Sequence, residues 1–188
     1  MLRKRVAVLV AAAVVMLSML AVALLTLLVA SGAAWAVTQV GTNAPDTLRG
    51  TNASDTLIGR GGLDTLLAFR GFDTLVGGPG NDDIFGGSLQ RPLGGSKVMN
   101  GGPGDDLLLG GLGVDTLEGQ EGADVLTDGP TREFSQDTLS GGTGNDTFNV
   151  ANRPAARDIV SCGPGSDVVE TADSKDIVGG DCEKVKRF

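Results

Sequence analysis

Aspartate recurs every nine residues through most of this 188-residue chain. Asp46, Asp55, Asp64, Asp73 and Asp82 keep that spacing, then Asp106, Asp115 and Asp124, then Asp137 and Asp146, then Asp158, Asp167 and Asp176. Two residues beyond each aspartate stands an apolar residue: Leu48, Leu57, Leu66, Leu75, Ile84, Leu108, Leu117, Leu126, Leu139, Phe148, Val160, Val169 and Val178. About half of random positions would be polar, so chance does not give this pattern. A fixed period of this kind marks a repeat architecture, in which small units stack and no unit stands alone.

Each unit reads as a short strand and a turn. Segments such as Asp-Thr-Leu plus one residue are β-prone. The six intervening residues are glycine and small polar types, needed where dihedrals are left-handed or backbones crowd. Alternation along the strand sends the apolar residue inward. Thr47, Thr56, Thr65, Thr74, Thr116, Thr138 and Thr147 take the outward place before it. Two units make one coil, and coils stack at about 4.8 Å. Fourteen units then give about seven coils, roughly 34 Å long at that spacing.

Composition removes other possibilities. The chain has 30 glycines, no tyrosine and no histidine. A Ser-His-Asp site cannot be built, nor a zinc site with histidine ligands, and two cysteines are too few for an all-thiolate one. No Gly-x-Ser-x-Gly elbow is present either, so the chain is expected not to be an enzyme. A net charge of −8 and a pI near 4.4 argue against nucleic acid and for cations.

Stacking gives the aspartates a meaning that a single turn would not. Repeats n and n+2 superpose, so their carboxylates form columns of like charge at about 5 Å spacing, unfavourable without intervening cations. Calcium, with six to eight oxygen ligands in tolerant geometry, suits such columns better than magnesium.

The best copies are Gly77–Phe85 (GGPGNDDIF), Gly101–Leu109 (GGPGDDLLL), Gly110–Glu118 (GGLGVDTLE) and Gly141–Asn149 (GGTGNDTFN). They resemble the RTX nonapeptide G-G-x-G-x-D-x-U-x, and the resemblance runs through nearly all of the chain after residue 40. It implies an all-β, right-handed parallel β-roll with several Ca2+ ions between stacked turns. The expected ligands are the carboxylates of Asp64, Asp73, Asp82, Asp106, Asp115, Asp124, Asp146 and Asp167. The turn residues expected with them are Gly77, Gly78, Gly80, Gly101, Gly102, Gly104, Gly110, Gly111, Gly113, Gly141, Gly142 and Gly144, through backbone carbonyls.

The copies are unequal. Gly41–Arg49 and Gly50–Ile58 lack the second and fourth glycines and are expected to bind weakly or to cap the roll. Residues 92–100 keep the phase with Met99 at the apolar place, but Lys97 stands where aspartate belongs. An ammonium there would exclude calcium, which makes the unit structural. Residues 86–91, 128–131 and 150–152 break the phase and are expected to loop out. The units 132–140 and 153–161 keep the aspartate but no glycine, and strong sites are not expected there.

The ends carry two further signals. Arg3, Lys4 and Arg5 precede an apolar run from Val6 to Ala30, and Ala34-x-Ala36 fits a signal-peptidase site. Residues 1–36 are expected to be a signal peptide, the alternative being an uncleaved anchor that would make the membrane a partner. Residues 37–188 then form the roll, outside the cytoplasm. Typical RTX proteins are exported by an uncleaved C-terminal signal, from which this chain departs. Cys162 and Cys182 lie one coil plus two residues apart, within disulfide reach. The leading expectation is a secreted, calcium-folded structural or surface protein with possible cell-surface or matrix contacts. The alternatives are an adhesive or ice-binding face made by the outward threonines, and a non-catalytic remnant of an RTX exoenzyme.

Overall fold

The computed structural model describes residues 34–87, 94–129, 134–150 and 156–187. The signal-peptide or anchor expectation falls on residues outside this set, except at its last three positions. In chain order the strands are β1 (Thr38–Val40), β2 (Thr47–Arg49), β3 (Thr56–Ile58), β4 (Thr65–Leu67), β5 (Asp73–Val76), β6 (Asp83–Phe85), β7 (Lys97–Pro103) and β8 (Leu107–Leu109). They continue with β9 (Thr116–Glu121), β10 (Val125–Thr127), β11 (Thr138–Thr143), β12 (Thr147–Asn149), β13 (Ile159–Ser161), β14 (Val168–Ala172), β15 (Ile177–Val178) and β16 (Lys184–Arg187).

Odd strands form one eight-stranded sheet and even strands the other, and each strand pairs in parallel with the strand two further on. The fold is the all-β parallel β-roll that the period implies, wound in about seven turns. Leu57, Leu66, Leu75, Ile84, Met99, Leu108, Leu117, Leu126, Leu139 and Phe148 are fully buried and form a single stack between the sheets. Met99 takes its place beside Leu75 and Leu117, so the unit with Lys97 is in phase.

Two features differ from the sequence reading. The repeat sends two side chains inward, not one: the sixth-position aspartate of every repeat from Asp55 to Asp167 is also buried, because it lies two residues before the apolar position and so on the same strand face. One extra rung closes each end. Gln39 stands in register with Leu57 and exchanges hydrogen bonds with the backbone of Arg49, laying a polar cap over the first coil. At the other end Val185 in β16 stacks on Val169.

The turns form two edges. Turns from the odd sheet to the even sheet make the outbound edge, and those from even to odd the return edge. Every phase break falls on the return edge, between β6 and β7, β10 and β11, and β12 and β13. Stacked aspartates are normally 18 residues apart, and the separation widens to 24, 22 and 21 across these breaks. Residues 88–93, 130–133 and 151–155 of these loops lie outside the described set.

Candidate metal centre

A buried amide needs an acceptor, and the aspartate column supplies one. On the outbound edge the amide of Asp64 donates to Asp82 Oδ1 at 2.8 Å, Asp82 to Asp106 at 2.7 Å, Asp106 to Asp124 at 2.8 Å, Asp124 to Asp146 at 2.9 Å and Asp146 to Asp167 at 2.8 Å. The last rung uses Glu183, whose Oε2 accepts from the Asp167 amide at 2.7 Å. The same ladder runs up the return edge through Asp55 and Asp73, is interrupted at Lys97, and resumes through Asp115, Asp137, Asp158 and Asp176. Each carboxylate therefore ties its coil to the one before.

The second oxygen is where the ladder is incomplete. Oδ2 of Asp64, Asp82, Asp106, Asp124, Asp146 and Asp167 is buried with no hydrogen-bond partner. Unpaired buried charge is strongly unfavourable, so six such atoms in line call for a counterion or a proton. Burial raises the Asp82 and Asp124 carboxyls to about 6 and that of Asp106 to about 7; the ladder bond works against this, while neighbouring carboxylates add to it. Asp146 is raised by the same causes.

The glycines leave room for these atoms and bring carbonyls to them. A Cβ at Gly59, Gly77, Gly101, Gly119 or Gly141, the first turn position, would lie 2.2–2.3 Å from the Oδ2 of its own repeat's aspartate. The fourth position has φ of 121° to 147° at Gly62, Gly80, Gly104, Gly122 and Gly144. A Cβ on Gly80 would lie 1.6 Å from the Gly62 carbonyl oxygen, and one on Gly144 1.6 Å from that of Gly122. These fourth-position carbonyls take no part in the turns' backbone hydrogen bonds. Gly78, Gly102 and Gly142, at the second position, have φ of 106°, 115° and 109°. Arg60 and Gln120 hold that conformation without being glycine, at φ 83° and 89°. Carboxylate and carbonyl oxygens are the donor set of a hard cation such as calcium. Among the described residues no three His, Cys, Asp or Glu side chains cluster as a metal site, so carbonyls must complete any shell.

The remaining expected ligands stand on the return edge. Gly110, Gly111 and Gly113 form a regular turn before Asp115, with φ 106° at Gly111 and 127° at Gly113. Asp73 differs: its Oδ2 pairs with the Lys97 ammonium at 3.1 Å, both side chains being fully buried. Its carboxyl is still raised, burial outweighing the Asp55 amide and the ammonium.

Several contributing residues were not singled out by the sequence reading. Thr42 replaces a second glycine and gives both its amide and its hydroxyl to Asp46 Oδ2, at 2.6 and 2.9 Å. The Thr51 amide does the same for Asp55 Oδ2. These N-terminal carboxylates thus receive local donors in place of a cation. At the fifth position, Asn81 accepts from the Asp105 amide, Asp105 from the Ala123 amide and Asn145 from the Ser166 amide, a second side-chain ladder. Its signal was present in the Asn-Asp and Asp-Asp pairs. Glu183 carried none, since it lies 16 residues from Asp167 and not 18. Cys162 and Cys182 are disulfide-bonded with Cα atoms 5.2 Å apart, and Cys162 is fully buried.

A parallel solenoid with ladders of buried carboxylates and glycine carbonyls at its turns has the architecture of a repeat protein with hard-cation donors between its coils. The profile of the RTX calcium-binding nonapeptide repeat matches in four copies, over residues 40–68, 64–88, 98–127 and 135–150. The chain belongs to that family. No curated protein and no solved structure matches it.

Proposed function

We propose that this protein is a secreted, non-catalytic calcium-binding β-roll whose folding is coupled to calcium, with a structural or surface role. The carrying observation is the run of six buried Oδ2 atoms without a hydrogen-bond partner on the outbound edge, five of them, from Asp64 to Asp146, beside a glycine whose missing Cβ leaves room. Calcium between these turns would be held by Asp64, Asp82, Asp106, Asp124, Asp146 and Asp167 with glycine carbonyls. When bound, it supplies the positive charge that lets the carboxylates stay ionised. Binding to the folded state alone adds about 2.7 kcal/mol per site at a hundredfold excess over Kd. Extracellular calcium is abundant enough to fill weak sites, and the family is typically extracellular. Circular dichroism during a calcium titration of residues 37–188 tests this: β-signal and melting temperature should rise with calcium. Superimposable spectra and melts in chelator and in millimolar calcium would refute it.

A second reading has one observation in its favour. The interruptions of the threonine rank at Asp83, Leu107 and Val125 all lie on the even sheet. On the odd sheet the outward rank is Thr38, Thr56, Thr74, Val98, Thr116, Thr138, Ile159 and Ile177, every member β-branched. Such a regular row suits an ordered partner such as ice. Inhibition of ice recrystallisation that is lost in Thr74→Lys would support it; no inhibition by the calcium-loaded protein would remove it.

A further inference from the structure

Lys97 stands in an aspartate column, in register with Asp73 below and with its amide bound to Asp115 Oδ1 at 2.7 Å above. Its side chain turns downward into the gap between two stacked turns. There Nζ donates to the carbonyls of Gly71 and Gly95, both at 2.7 Å, and meets Asp73 Oδ2 at 3.1 Å. Gly71 and Gly95 are the fourth-position residues of their turns. A Cβ on Gly95 would lie 2.1 Å from the Gly71 oxygen, the same crowding seen at Gly80 against Gly62. Two stacked fourth-position carbonyls and an aspartate Oδ2 are thus gathered on one positive charge. On the outbound edge, from Asp64 to Asp146, the corresponding atoms have no donor among the described residues.

We propose that Lys97 is a covalently supplied substitute for calcium: its ammonium occupies a divalent-cation position between the turns ending at Asp73 and Lys97, so that this rung closes without metal. Asp73 is then a partner of Lys97 and not a calcium ligand. Lysine brings no carboxylate, so the Asp73 amide turns to the Ser96 carbonyl at 3.2 Å, and each gap next to Lys97 has one column carboxylate in place of two. The return edge is divided at mid-roll, while Asp82, Asp106 and Asp124 continue past it on the outbound edge. The tethered charge cannot be removed by a chelator. Coils held by it keep the apolar stack of Leu75, Met99 and Leu117 in register for calcium to extend.

Lys97→Asp restores the family's residue and should unmask the hidden site. Native mass spectrometry with calcium should count one ion more than in the wild type, and the melting temperature in chelator should fall. In the wild type in chelator, amides of residues 73–76 and 97–100 should exchange at least tenfold more slowly than those of 125–127 and 147–149. Lys97→Met should abolish that difference, and Asp73→Asn in the same chain should restore part of it by removing the stranded carboxylate. An unchanged calcium count in Lys97→Asp, a failure of that variant to fold in calcium, or uniform exchange in the wild type overturns the proposal. The ion count rests on the calcium-binding reading, whereas the exchange measurement in chelator does not. A wild type that binds no calcium would therefore sink the proposed function and leave the ammonium's role to be decided by exchange.

Discussion

The two edges of the roll are built from the same nine-residue unit and solve the same problem differently. Each must bring buried carboxylates past one another at every coil. The outbound edge keeps glycine at the first and fourth positions from Gly59 to Gly144, carries no insertion, and leaves a line of buried Oδ2 atoms without a hydrogen-bond partner from Asp64 to Asp167. The return edge carries all three insertions and satisfies three of its six carboxylates from within: Thr51 at Asp55, Lys97 at Asp73, and the Asp173 amide at Asp176, 2.7 Å away. The comparison teaches that insertions are tolerated where a turn does not have to form a metal shell. It also separates the two jobs of the aspartate. Oδ1 ties coils together on both edges, and Oδ2 is the atom that the proposed function gives to a cation.

The sharpest way to break this comparison is to truncate one aspartate on each kind of turn. Asp106→Ala strands the Asp82 amide, worth about 1–3 kcal/mol, and removes a calcium ligand worth about 2.7 kcal/mol per site at a hundredfold excess. Asp55→Ala, on the return edge where the Thr51 amide already serves Oδ2, should leave the calcium isotherm nearly unchanged. Calorimetry of both variants decides it, and equal losses of binding would show that the edges are not distinct.

Gly80→Ala tests the backbone side of the same idea. Its φ of 139° and the Gly62 oxygen 1.6 Å from a Cβ leave no place for a methyl group. A strained positive φ alone costs about 1–2 kcal/mol, and displacing the carbonyl should also weaken calcium binding. Ala53→Gly, at the fourth position of a return-edge turn without positive φ, should change the melting temperature little.

Reduction of Cys162–Cys182 should loosen residues 156–187 and leave 59–127 intact in calcium. Closing a loop of about twenty residues is worth roughly 3 kcal/mol in the chain-entropy model. The C-terminal rungs have bulged registers at β14, and their stack uses valines that bury less than leucine. Hydrogen exchange with and without reductant reads the effect directly; no change at the C-terminus would contradict it.

The smallest expected effect is the one with pH. With the folded, metal-free carboxyls of Asp82, Asp106 and Asp124 raised to about 6, 7 and 6, protonation favours the fold. The contribution is full below the unfolded value near 4 and is lost as pH rises through 6 to 7. In chelator, acidification from pH 7.5 to 5 should therefore raise the melting temperature. In calcium the same change should lower it, because protons compete for the ligands. A common slope in both conditions would mean that these carboxylates do not face the cation.

The nine-residue period was enough to establish the class of fold, the inward apolar stack, the units out of phase and the disulfide. Each of these depends only on the chain's own spacing: a repeat of Asp-x-Leu with glycine turns can bury its leucine only by stacking, whatever the details. The burial of the aspartates was legible in the same alternation, since position six shares a face with position eight. Other features were decided between coils. Nothing in GGLGVD as against GGPGDD says which edge a turn will occupy, because that follows from counting strands around the coil. The even-sheet place of Asp83, Leu107 and Val125, and the β-branched row left on the odd sheet, follow from the same count. Glu183 enters the ladder only because the last coil is two residues short and a longer side chain makes up the reach. Lys97 reads from sequence as a lost ligand. Only stacking, which brings the Gly71 carbonyl and the Asp73 carboxylate from 26 and 24 residues away, turns its ammonium into a cation held where a metal would be.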